Sequence, residues 1–194
     1  MAMINYLKRT VDKLFTRHLL LTNTVIAVGF MGTGDAIQQV LEKKLGEEKP
    51  FDKTRTRNMM GGGLVFGPLG HLWYSFLDRR FPGAKTSTVA KKLGCEMAIG
   101  PPLILVIFLS VGLLEGKPPK KSFNEFKDNI ITICFAEWAV YIPLQALNFY
   151  FLPPQFRVLY VSAITLLYDV FLSYIIHKED NKQRRLKNPI DKEE

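Results

Sequence analysis

Four carboxyls and one imidazole sit inside otherwise apolar stretches of this chain: Asp35, His71, Glu96, Glu137 and Asp169. An ionised carboxylate at mid-bilayer costs roughly 2.5–3.5 kcal/mol on insertion scales, so such groups face a bundle interior, lie near an interface or carry a proton. Neutral polar residues accompany them at helical spacing. With Ile130–Leu152 read as a helix, Glu137, Tyr141, Gln145 and Asn148 follow at steps of four, four and three and share one face. Asp35, Gln38 and Gln39 make a second patch, and Ser162, Thr165, Asp169 and Ser173 a third at steps of three, four and four. Three polar faces on three helices could line a solute pathway. The same groups could equally hydrogen-bond to one another and fix packing, at about 0.6 kcal/mol per interhelical bond.

Catalysis is not expected. The chain has no phosphate-binding or dinucleotide-binding glycine motif and no metalloprotease motif, and His71 has no second histidine at ligand spacing. Cys95 and Cys134 lie in apolar stretches without metal-type spacing, so they read as buried thiols rather than a disulfide or zinc site. Neither cofactor nor metal is implied.

The elements that must position these residues are apolar stretches of membrane-crossing length. They run Leu19–Leu41, Met59–Leu77, Gly94–Leu114, Ile130–Leu152 and Val158–Ile176, each near the roughly 20 residues that span a bilayer core. All 26 Lys and Arg lie outside them, which a soluble bundle with a solvated face on every helix would not show. The expected fold is all-α: a polytopic membrane bundle of four to five hydrophobic helices over residues 19–176, preceded by an amphipathic helix. In that arm, residues 1–18, Ile4, Leu7, Val11, Leu14 and Phe15 oppose Lys8, Arg9, Lys13 and Arg17, with no acid before Asp12. The pattern suits a mitochondrial targeting segment without a clear cleavage site, or an interfacial helix on anionic headgroups. Residues 177–194 form a charged polar tail.

Gly61, Gly62, Gly63, Gly67 and Gly70 thin the second stretch and predict close helix packing. Trp73 and Tyr74 ahead of Asp78-Arg79-Arg80 read as interface anchors. Pro153 and Pro154 stop the fourth stretch, and with Arg157 they predict a tight hairpin. Four crossings place sixteen basic residues on the face that holds both termini against ten opposite; five crossings reverse the count.

Several of these residues also carry a family resemblance. Thr22-Asn23-Thr24, Gly34-Asp35, Gly67-Pro68, Trp73-Tyr74 and Leu77-Asp78, then Trp138, Pro143, Gln145, Asn148-Phe149, Pro153 and Arg157, resemble the Mpv-17 family of small organelle membrane proteins. That family includes the peroxisomal membrane protein of twenty-two kilodaltons, and it is usually described with four spans. Gly67 through Tyr74, Leu114-Glu115-Gly116 and Pro153 through Val158 are most similar to the branch linked to mitochondrial ribosome assembly. The resemblance implies a mitochondrial inner-membrane protein supporting ribosome assembly and organelle translation. Other branches are associated with non-selective small-solute channels, so a channel is the alternative. Two departures stand out: Glu96-Met97 where relatives have Asp-Gln, and Tyr141-Ile142-Pro143 where relatives have Trp-Pro one position earlier.

The net charge of +8 suits cardiolipin-rich membrane lipid or the RNA of the large mitochondrial ribosomal subunit. No DNA partner is expected, and a homo-oligomer stays open.

Overall fold

Glycines decide how the first two long helices meet. In a computed structural model, which describes residues 2–44 and 50–167, α2 (Leu19–Lys44) and α3 (Lys53–Arg80) form an antiparallel hairpin with the most extensive contact in the molecule. A Cβ on Gly63 would stand 2.6 Å from the Val28 Cα, and one on Gly67 would stand 2.5 Å from the Thr24 Cα. The two backbones touch where these glycines, four residues apart, face α2. This is small-residue packing of the kind that membrane helices use.

The remaining elements follow as α1 (Ala2–Arg17), α4 (Thr86–Leu114), α5 (Pro119–Ala136), a π turn (Glu137–Tyr141), α6 (Ile142–Phe151), a 3-10 turn (Pro154–Phe156) and a helix over residues 157–167, here α7. Asp52 caps α3, its Oδ1 accepting from the amides of Thr54 and Arg55 at 2.8 and 3.0 Å. The end of α4 closes with the amide of Lys117 bonded to Gly112 O and that of Gly116 to Leu113 O, a Schellman stop. It needs Gly116 at φ 74°.

Ile130–Leu152 is not one regular helix. Pro143 lacks an amide hydrogen, and its ring crowds the carbonyl four residues back, so the backbone widens into the π turn just before it. The faces read from a regular helix therefore shift phase at residues 137–141.

By length and composition, α2 and α4 (26 and 29 residues) are the two helices, among the described residues, that could each cross a membrane alone. The path 119–151 is helical throughout but interrupted by the π turn. Asp169, Ser173, the end of the fifth stretch and the tail lie outside the described residues.

The polarity is turned inside out. Buried positions include Asn23, Asn58, Lys92, Gln145, Asn148 and Arg157, whereas Leu21, Leu72, Ile131, Phe135 and Phe151 face outward. Water would not favour that distribution, and lipid would. One apolar cluster, Tyr74, Leu77, Val89, Phe149, Val158 and Val161, ties α3, α4, α6 and α7 together. It lies at the end shared by the start of α2, the turn after α3 and the Pro153 connector, where Phe15 of α1 packs on Phe156 at 4.9 Å. We call this the arm end. The loop end holds Glu42–Arg57 and the start of α5.

Candidate functional site

A cavity of about 460 Å³ lies between α2, α3, α4, α6 and α7. Most of its wall is apolar, from Phe30, Met31, Phe66, Leu103, Ile107 and Leu166 among others. Its polar wall is made of Asp35, Gln38, Glu96, Tyr141, Gln145, Ser162 and Thr165, with the indole of Trp73 and the phenol of Tyr74.

At the loop end, Asp35 anchors a dense network. Its Oδ2 accepts from Gln39 Nε2 at 2.7 Å and from Thr56 Oγ1 at 2.6 Å, while its Oδ1 meets Arg55 Nε at 2.7 Å. Gln39 also donates to Asp52 O at 3.0 Å and accepts from the Asp52 amide at 2.6 Å, joining the helix end to the following turn. The guanidinium of Arg55 makes a second, bidentate pair with Glu42 at 2.8 and 3.1 Å. Hydrogen bonding to Glu42 raises the Arg55 pKa, with Asp35 adding to it and partial burial opposing. The carboxylate that the sequence marks as intramembrane is thus held by an arginine from outside the apolar stretch.

In the middle, Gln145 Nε2 donates to Tyr74 Oη at 2.5 Å, and Asn148 Nδ2 donates to Gln145 Oε1 at 2.8 Å. Tyr141 Oη donates to Thr165 Oγ1 at 3.0 Å, and Trp73 Nε1 donates to Glu96 Oε1 at 2.9 Å. Four helices are cross-linked by these bonds.

At the arm end, Lys92 Nζ donates to Asp78 Oδ1 at 2.8 Å, and Arg157 Nη1 donates to the same oxygen. Both cations are almost fully buried, and both lie over the ring of Phe149, Lys92 Nζ at 5.4 Å and Arg157 Cζ at 5.0 Å from its centroid. One carboxylate and one aromatic face serve two positive charges.

The structure therefore brings Asp35, Gln38, Tyr141, Gln145 and Thr165 onto one cavity. His71 lies elsewhere, on the α2–α3 seam, its Nδ1 3.2 Å from Asn23 Nδ2. Asn148 is buried behind Gln145. Glu137 belongs to the π turn, its side chain outside what is described, and Asp169 lies outside the described residues. Among the signature residues, Gly67 forms the seam, Pro68 lies within α3, Trp138 is 41 % exposed on the π turn, Pro143 opens α6, and Pro153 caps the 3-10 turn. Tyr74 is turned inward to Gln145 rather than toward a headgroup layer. Sequence reasoning missed Lys92, Arg55, Thr56 and Glu42. For Lys92 a signal existed: it stands three residues after Val89, on the face that α4 buries.

The chain is 30 % identical over 183 residues to PXMP2/4 family protein 2 of Dictyostelium discoideum, covering 92 % of this chain and 95 % of the relative. The sequence profile of the Mpv17 / PMP22 family matches residues 112–173. The chain belongs to the Mpv17 / PMP22 family. A second relative, the mitochondrial inner membrane protein Mpv17 of Xenopus laevis, is 30 % identical over 173 residues, with 88 % of this chain and 97 % of the relative covered. Protein SYM1 of Mycosarcoma maydis is 32 % identical over 143 residues, covering 73 % and 71 %. With these relatives, the chain is a mitochondrial inner-membrane member of the Mpv17 / PMP22 family. No solved structure matches it.

Proposed function

We propose that this protein crosses the mitochondrial inner membrane four to five times and supports assembly of the mitochondrial ribosome, and so organelle translation, as a non-enzymatic membrane anchor. The supporting observation is the charge of the arm end. The arm, the Asp78–Lys92 turn and the connector hold ten basic residues against two acids, Asp12 and Asp78, and Asp78 is already engaged by two cations. At the loop end ten basic residues face seven acids. Arg9, Lys13, Arg17, Arg79, Lys85 and Lys91 are exposed, so the unbalanced charge is available to a phosphate-bearing partner. The partner's identity comes from the branch resemblance.

The test uses mitochondria lacking the protein, assayed for ribosomal-subunit profiles on gradients and for organelle protein synthesis. Defective subunit assembly, weak translation and salt-sensitive co-sedimentation of the protein with the large subunit are expected. Unchanged profiles and translation overturn the reading.

A small-solute pathway is the second reading, favoured by the cavity with polar groups from five helices. Its mark is a conductance of the purified protein in a planar bilayer that changes with Glu96→Gln. A silent bilayer removes it.

A further inference from the structure

At the arm end, between the turn after α3 and the first turns of α4, an open cleft of about 610 Å³ is graded from charged to apolar. Arg80, Thr88 and Lys91 form its rim; Phe81, Gly94 and Ala98 form its depth, and no acid lines it among the described residues. The gradient follows the helix axis. Thr88, Lys91, Cys95 and Ala98 share one face of α4 at steps of three, four and three, so the polar rim and the apolar floor are about 10 Å apart along the axis at 1.5 Å per residue. The Arg80 guanidinium lies over the Phe81 ring at 5.4 Å, which holds it at the rim. A Cβ at Gly94 would meet nothing within 4 Å, so the floor is open space. Behind the wall, Lys92 and Arg157 share the single carboxylate of Asp78, which leaves this region of the protein net positive.

We infer that this cleft seats one anionic phospholipid of the inner membrane, with its phosphate between Arg80, Thr88 and Lys91 and its acyl region over Gly94 and Ala98. The position fits. Arg80 closes an apolar stretch that ends at Leu77, and Lys91 precedes one that begins at Gly94, so the rim falls where headgroups meet hydrocarbon. A soluble phosphate compound would use the rim alone and gain nothing from the floor. The two cations select a headgroup of net negative charge over a zwitterionic one.

The test is native mass spectrometry of the full-length protein in neutral detergent, titrated with cardiolipin, phosphatidylglycerol or phosphatidylcholine. One anionic phospholipid retained per chain is expected, with phosphatidylcholine lost. Joint Arg80→Ala and Lys91→Ala replacement weakens retention about thirtyfold, each basic residue near an anionic headgroup contributing a factor of about five. Gly94→Leu, which fills the floor and leaves both charges, weakens it as well. Lys120→Ala with Lys121→Ala, exposed at the loop end, leaves it unchanged. Each variant melts as the parent does in phosphatidylcholine alone. The inference is overturned if the charge variant or the filled cleft retains lipid like the parent, if phosphatidylcholine binds equally, or if inorganic phosphate displaces the lipid.

Discussion

Arg157 donates to Asp78 across 79 positions of sequence, and this bond joins the start of α7 to the end of α3 inside the bundle. The lysine sharing that carboxylate comes from α4, so three helices meet on one oxygen.

Asp78→Asn is the substitution that exposes this arrangement. It leaves Lys92 and Arg157 buried without a counter-charge, and removing one partner of a buried pair costs about 3–5 kcal/mol. The variant should accumulate poorly and melt far below the parent in detergent. Lys92→Met, which removes one of two cations and keeps the volume, should melt closer to the parent than Asp78→Asn. Equal melting of Asp78→Asn and parent would mean that the triad does not hold the helices together.

Gln145→Leu removes an acceptor from Asn148 and a donor from Tyr74 at once. The expected loss is about 0.6–1.7 kcal/mol, the range of interhelical hydrogen bonds in membranes. Adding Asn148→Leu should cost less than the sum of the single changes, because the two amides share a bond. Additive losses in detergent melting would show that the bond is not formed.

Much of this site was legible because it follows helical spacing. The four-residue steps through Tyr141 and Gln145 share a face, and the glycines of α3 do pack closely, since neither feature depends on distant sequence. Arg55 and Lys92 were not legible. Each is a cation in a stretch that reads as a solvated loop, and only the tertiary fold puts it against a carboxylate 20 or 14 residues earlier. The inward turn of Tyr74 was hidden for the same reason: an aromatic near a membrane boundary reads as an anchor until its hydroxyl has a partner.

Gly67→Ala and Gly94→Ala add the same methyl group in two environments. The first drives a Cβ into the backbone of Thr24, where neither helix can yield by rotating a side chain. It should cost about 1–3 kcal/mol, as overpacking does. The second meets open space and should leave melting unchanged or slightly raised through better helix propensity. A Gly67→Ala protein as stable as the parent would refute the close α2–α3 approach.

Carbonate extraction of mitochondria should leave the protein in the pellet, as its outward apolar residues and buried polar ones require. Release into the supernatant would contradict the inverted polarity.

The π turn makes the length of one segment a counted quantity. Deleting a single residue within 137–141, Ala139 for example, would let the chain run on as a regular helix. Everything beyond would then revolve by about 100°, the angle of one residue at 3.6 per turn. Gln145 would swing away from Tyr74 and Phe149 from its two cations, although neither had been altered. In this stretch the protein is more vulnerable to a lost codon than to a changed one.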